Sequence, residues 1–372
     1  VNPAFLVKNS ASLLFRRELS FHFDRIPMRA RQISRRKLFN LLRISANRLL
    51  PFTHTFGYPY MAHISPAGVC DLHCELCPSL DDKTRGRQLL AFPVFKKFID
   101  QAGAYLLYII LWSWGEPLLN TDIYKMIAYA RDKNILSVTS SNLNRFSRQA
   151  AREMIASGLE ALIVAVDGAT PETYARLRKG GDFHRVLDNT RLLMEEKRRS
   201  GTRTPIVNLR MVVSRENEDE AEAFRDLARD LGVDMVSLKA YSTRQPGYVD
   251  PDHDRRFAPR SERYRWYRYH ADFSADRRPR KYNCRFPWTK PTLFADGEVL
   301  ACEFDLTCSF SFGNIQDQSF DEIWFGSQAR RFRRRFSKDR DAVRFCRDCV
   351  YDYKLIDGCV LDWEYLTYAP KR

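Results

Sequence analysis

Between residues 60 and 241, short apolar runs rich in Val, Ile and aromatics alternate with amphipathic stretches of helical length. The runs YMAHIS (60–65), LLYIILW (106–112), LSVTSS (136–141), LEALIVAVD (159–167), IVNLRMVV (206–213) and DMVSLKAY (234–241) predict six strands. Helices are predicted near 92–103, 121–133, 147–157, 183–199 and 218–231. A helix after each strand, joined by right-handed crossovers, predicts a parallel sheet. Six strands are too few for a closed eightfold barrel; they fit a partial barrel or an open doubly wound sheet. In either, chemistry belongs at the carboxyl ends of the strands. CDLHCELC (70–77) follows the first strand, Trp114-Gly115-Glu116-Pro117 the second, Ser141-Asn142 the third and Asp167-Gly168 the fourth. All four polar motifs therefore fall on one edge of the predicted sheet.

The alternation stops on both sides. In residues 1–58, Leu38, Leu41, Leu42, Ser45 and Leu49 repeat at helical spacing, with Arg36, Asn40, Arg43 and Asn47 largely on another face. Residues 242–283 read as a polar, basic and aromatic connector, in which RYRWYRYH (263–270) interleaves aromatic and basic residues suited to stack on and hold nucleobases or phosphates. From 284 to 372 a smaller α+β module is predicted. PTLFADGEVLAC reads as a hairpin turning at Asp296-Gly297. Ser319 to Glu322 forms a capping box that opens a helix running to about 336, whose Phe332 and Phe336 dock the module.

Composition narrows the class. With 372 residues, 44% hydrophobic and 29% charged, the chain has material for one large and one smaller core. No apolar run approaches the roughly 20 residues that span a bilayer, and the first residues do not read as a secretory leader, which points to the cytoplasm. The net charge of +15 is uneven, since residues 1–58 carry eleven Lys/Arg against Glu18 and Asp24. Such a segment either packs on the barrel with a solvated basic face or makes peripheral contact with an anionic membrane surface.

The nine cysteines fall into two groups, three at 70–77 and six at 284–359, a pattern that suits metal ligation better than a disulfide framework. Cys70, Cys74 and Cys77 are spaced C-x3-C-x2-C. Three thiolates fall one short of a closed zinc or iron–sulfur site. This loop after a first strand resembles that of the radical S-adenosylmethionine (SAM) enzymes, over roughly residues 58–362. The resemblance implies that the three cysteines hold a [4Fe–4S] cluster and that SAM chelates its fourth iron. Reductive cleavage of SAM would then yield a 5′-deoxyadenosyl radical that abstracts a substrate hydrogen. Gly115, Glu116 and Pro117 match the family's G-E-P element, which receives the SAM ammonium group; Trp114 stands where many members have glycine. Ser141, Asn142 and Asp167 match polar strand ends that line the SAM site, and Leu76 replaces the usual aromatic before the third cysteine. The implied fold is a partial (β/α)6 radical SAM barrel over 59–241. Because the connector often borders the substrate pocket in this family, the resemblance makes Tyr264, Trp266 and Arg268 candidate substrate contacts.

The distal cysteines resemble the SPASM/twitch extension of that family, which carries auxiliary iron–sulfur clusters. A two-cluster version would need C-x2-C-x5-C-x3-C, but the middle position is Leu355. One auxiliary [4Fe–4S] cluster is therefore expected on Cys284, Cys302, Cys346 and Cys349, with Cys359 as an alternative ligand and Cys308 as a buried small hydrophobe. A zinc site on the same thiols stays open, because spacing alone does not separate the two. An auxiliary cluster implies oxidation of the substrate radical, for which Glu303 is the candidate base. The expected function is a radical SAM dehydrogenase of a small alcohol, sugar or aminocyclitol-like metabolite, served by an electron donor such as flavodoxin or ferredoxin. The alternatives are maturation of a ribosomally made peptide and a zinc-dependent nucleic-acid-binding protein.

Overall fold

The computed structural model describes residues 12–46, 55–77, 88–241, 251–273, 284–305, 308–347, 349 and 359–367. All six predicted strands are present: β3 (Met61–Ile64), β4 (Tyr108–Leu111), β5 (Leu136–Ser141), β6 (Ala161–Ala165), β7 (Ile206–Val213) and β8 (Met235–Ala240). They lie side by side in chain order and pair in parallel. A doubly wound sheet would reverse its order at a switch point. Unbroken order with one crossover hand instead puts the helices on a single face, as in a barrel.

Alternation along the strands divides two cores. Ile109, Leu162, Leu209 and Val236 face outward onto the helices Phe92–Ala102, Ile123–Asp132, Arg148–Ser157, Phe183–Ser200 and Ala221–Leu231. An unanticipated short helix, Pro171–Leu177, precedes the fourth of these. Ile110, Val138, Ala161, Ile163, Ile206 and Met235 face inward.

A hairpin that the pattern of residues 1–58 did not reveal covers that inner face. Strands β1 (Leu19–Phe23) and β2 (Ile26–Ala30) are antiparallel and turn at Asp24-Arg25, both with positive φ. Phe23, Ile26 and Met28 close the inner core. Asp24 at the turn is buried and meets Arg210 of β7 at 2.7 Å and Lys239 of β8 at 3.5 Å. The predicted amphipathic helix follows as Arg35–Ala46, but it is rolled from the predicted orientation. Lys37, Asn40 and Ile44 are buried, whereas Leu42 faces solvent. The polar residues go inward because they have partners there: Lys37 donates to the Asn134 carbonyl at 2.6 Å, and Asn40 exchanges two hydrogen bonds with the Tyr58 backbone. Asn47, Leu49 and Leu355 lie outside the described residues.

The distal module extends the sheet at both edges. Its hairpin, β9 (Thr292–Leu293) with β10 (Glu298–Leu300), turns at Asp296-Gly297 as expected; β9 pairs in parallel with β3, and β11 (Ser311–Asn314) adds to β10. On the far edge, β12 (Val360–Tyr365) pairs antiparallel with β8. The Ser319/Glu322 capping box is present, but the predicted single helix is two, Phe320–Trp324 and Ser327–Lys338, broken at Phe325-Gly326. Phe332 and Phe336 are buried against Phe345 and Trp288, so they dock the module as predicted. Among the described residues, no helix is long and apolar enough to cross a membrane.

Candidate functional site

The loop bearing Cys70, Cys74 and Cys77 is held from two sides at the carboxyl edge of the sheet. On one side Glu116 N–H donates to the Val69 carbonyl at 2.7 Å. A Cβ on Gly115 would stand 2.2 Å from the Ala67 carbonyl oxygen and 2.6 Å from that of Val69, so only glycine admits this approach. On the other side His73 N–H donates to Lys179 O and Glu75 N–H to Leu177 O. The end of the short helix and the residue two beyond it thus brace the loop.

Glu116 organises the strand ends. Its carboxylate accepts from Leu118 N–H at 3.0 Å, Ser141 Oγ at 2.7 Å and Asn142 N–H at 2.8 Å. Burial pushes its carboxyl up to about 7 despite these donors. Pro117 is buried in the single helical turn that follows. The Asn142 amide reaches Asp71 at 2.8 Å and lies 3.9 Å from Cys70 Sγ. Gly115, Glu116, Pro117, Ser141 and Asn142 therefore converge beside the first cysteine.

Asp167, with φ of 62°, has its carboxylate taken up by the chain itself. It accepts from Val212 N–H at 2.7 Å and pairs with Arg178 at 2.6 Å. Arg178 in turn directs Nη1 toward Cys74 Sγ at 3.7 Å. Burial opposes the guanidinium charge, but Asp167 outweighs it and raises its pKa. The sequence reading missed Arg178; its only signal was a basic residue directly after an amphipathic turn, which is common on surfaces. Leu76 packs with Leu177, Val212, Tyr241 and Phe257, an aliphatic side chain where an aromatic was expected.

Three thiols on one short loop are the donor type that holds three corners of an iron–sulfur cluster. Among the described residues, no three Cys, His, Asp or Glu side chains converge where a single metal ion would sit. Thiolates on separate corners of an iron–sulfur cluster need no such convergence. Burial pushes the Cys70 thiol up to about 12 and raises that of Cys74, so loading requires release of thiol protons.

In the distal module, Cys284, Cys302 and Cys346 border one apolar core. Cys349 N–H donates to the Cys346 carbonyl, which turns this pair together. Burial pushes the Cys284 thiol up to about 11 and raises that of Cys302 well above the ordinary thiol value. Cys359 borders the same small apolar cluster as Cys302, with Trp266 and Phe304, and its Sγ lies 3.8 Å from Asp24. Cys308 is partly exposed with φ of 51°, not buried as expected.

Glu303 follows Cys302 and is buried, with both oxygens 2.7 Å from Lys290 Nζ. His63 Nδ1 stands 3.7 Å away. Burial would raise the Glu303 carboxyl, but Lys290 and then His63 hold it down at about 2. Trp114 joins the two ends of the site. Its Nε1 donates to the Glu303 carbonyl at 3.3 Å and its ring packs on Phe304. Trp266 belongs to this cluster, while Tyr264 is buried in the main core and Arg268 points to solvent.

Comparison with known proteins bears on this layout. The radical SAM superfamily model matches residues 64–228, and that of an iron–sulfur cluster-binding SPASM domain matches residues 284–350. The chain carries a radical SAM domain followed by a SPASM domain. It is similar to the AdoMet-dependent heme synthase of Methanosarcina barkeri, 27% identical over 44% of this chain and 45% of that protein. It also resembles the mycofactocin maturase MftC of Mycolicibacterium smegmatis, 25% identical over 45% of this chain and 41% of the relative. The chain thus spans less than half the length of these relatives. The fold resembles Streptococcus suis SuiB bound to S-adenosylmethionine, with TM-score 0.58 and 17% identity over 80% of this chain and 72% of that one. A radical SAM domain implies SAM and a [4Fe–4S] cluster, and a SPASM domain implies auxiliary iron–sulfur clusters.

Proposed function

We propose that this radical SAM enzyme removes two electrons and two hydrogens from a small alcohol, sugar or aminocyclitol-like metabolite. The observation that carries the reading is the Trp114–Glu303 hydrogen bond, which ties the Gly-Glu-Pro turn directly to the residue after Cys302. On this reading the place for SAM and the place for the electron acceptor are neighbours.

Cys70, Cys74 and Cys77 would hold the SAM-binding cluster, and Cys284, Cys302, Cys346 and Cys349 the auxiliary [4Fe–4S] cluster. Together these groups supply, when bound, hydrogen-atom abstraction and an electron acceptor. Gly115 permits the close backbone approach, and Glu116 with Ser141, Asn142 and Pro117 forms the wall for the SAM ammonium group. Asp167 fixes Arg178 beside Cys74 as a buried cation suited to the SAM carboxylate. Glu303 is ionised and accepts the substrate proton at a carboxylate oxygen as Lys290 gives up part of its hold. The hairpin under Asp24 shuts the inner end of the barrel, so substrate enters from the carboxyl edge. A flavodoxin or ferredoxin would deliver the initiating electron.

A ribosomally made peptide is the second reading, supported by the similarity to a mycofactocin maturase. Anaerobic protein, reductant and SAM are incubated with size-fractionated, deuterated cell extract, and deuterium is sought in 5′-deoxyadenosine. Transfer from the low-mass fraction together with an oxidised product supports the metabolite reading. Transfer confined to the peptide fraction supports the second, and a redox-neutral product overturns the dehydrogenase reading.

A further inference from the structure

Residues 12–46 carry nine Lys/Arg and two acids, and both acids are spoken for: Glu18 pairs with Arg29, and Asp24 is buried against Arg210. The helix Arg35–Ala46 turns Lys37, Asn40 and Ile44 inward. Its opposite stripe, Arg35, Arg36, Phe39, Leu42 and Arg43, faces solvent at helical spacing. Phe39 and Leu42 are 63% and 59% exposed, and Phe15 is 86% exposed in the short turn Ser12–Arg16. Leu13 of that turn packs in the same cluster as Leu38 and Leu41, so the turn lies alongside the helix.

We propose that this face is a peripheral docking surface for an anionic phospholipid bilayer. Large apolar side chains held between arginines, with no acid on the stripe, match the chemistry of an interface helix. The rings and the leucine enter the acyl boundary while the guanidinium groups stay with lipid phosphates. The position in the fold separates lipid from a protein electron donor. Lys37 fastens the helix to the Asn134 carbonyl, just before β5 begins, whereas Asn142, just after β5 ends, meets the cluster loop. A donor docked on the helix would stand a full strand length away, about 20 Å for six residues. A bilayer there leaves the carboxyl edge open to substrate and donor.

The test floats the full chain with vesicles of phosphatidylcholine alone or mixed with phosphatidylglycerol. Co-flotation with the anionic vesicles, weakened at about 0.5 M salt, is expected. The double variant Phe39→Asp, Leu42→Asp should lower the partition coefficient about tenfold or more. Because both positions are exposed, its thermal midpoint and iron content should match the parent's; an unfolded variant is replaced by Phe39→Ser, Leu42→Ser, with the same expectation. Equal binding to neutral vesicles, unchanged binding of the folded variant, or no vesicle binding overturns the proposal. Retention on an immobilised flavodoxin without vesicle binding assigns the face to a protein partner instead.

Discussion

Lys290 lies 2.7 Å from both carboxylate oxygens of Glu303, and the two side chains are only 3% and 7% exposed. Removing one partner of such a pair leaves an uncompensated buried charge, which costs about 3–5 kcal/mol. Lys290→Met should therefore destabilise the apo-protein more than the double variant Lys290→Met, Glu303→Leu. Denaturation midpoints of the two variants and the parent check this. The pair also has a pH signature. The folded carboxyl, at about 2, lies below its ordinary 4.5, so its stabilising contribution is full above 4.5 and is lost as pH falls through about 2. A Glu303→Gln variant should lose that acid limb and, on the proposed role, lose product while retaining SAM cleavage.

Glu116 should show the opposite sign. Its folded value of about 7 lies above the ordinary 4.5, so its stabilising contribution is complete below 4.5 and is lost as pH rises through about 7. SAM binding should move the other way, because an ammonium group is held by the ionised carboxylate. Affinity of the cluster-loaded protein should rise from about pH 5.5 to about 7.5, and this rise should vanish in Glu116→Gln. That variant should also bind SAM more weakly throughout, since its amide nitrogen would oppose a donor, either Ser141 Oγ or Asn142 N–H. Equilibrium binding across pH decides it, and unchanged affinity would remove Glu116 from the SAM wall.

The cysteine loop gives a sharper outcome. Replacing Cys70, Cys74 and Cys77 together by Ala should abolish reductive SAM cleavage while iron bound by the distal module persists. Iron analysis and 5′-deoxyadenosine formation are measured on the same preparation. Undiminished cleavage would place the SAM-binding cluster elsewhere.

What could be read from the chain was whatever local pattern carries by itself. Short apolar runs rich in Val, Ile and aromatics marked all six parallel strands, and C-x3-C-x2-C marked the loop, because each signal lies within one short segment. Relationships between distant segments were not legible. Phe23, Ile26 and Met28 form a hairpin only because β4 to β8 offer an apolar inner face. Arg178 acquires its place from Asp167 and Cys74, which stand eleven and 104 positions away. The helix Arg35–Ala46 was legible as a helix but not in its orientation, since Lys37 and Asn40 find backbone partners inside. Gly115 could be matched as a motif, whereas its reason, two carbonyl oxygens where a Cβ would be, required the fold.

The auxiliary set offers the most decisive separation of structure from chemistry. Cys302 borders both the main core and the small cluster that holds Trp266 and Phe304, and it precedes Glu303. Four thiols complete an iron–sulfur cluster without help from SAM, so such a group has no open iron and suits electron transfer. Replacing Cys302 and Cys349 by Ala removes two ligands but leaves Cys70, Cys74 and Cys77 untouched. SAM cleavage uncoupled from product should survive, while two-electron oxidation of substrate should collapse. These thiols are also packed into the module, so soluble expression and retained SAM binding are checked first. Replacement by Ser, which keeps the volume closer, provides a second variant if the Ala protein does not fold. A folded variant that makes oxidised product at the parent rate would show that these two cysteines only brace the module, and that the electron leaves the substrate by another route.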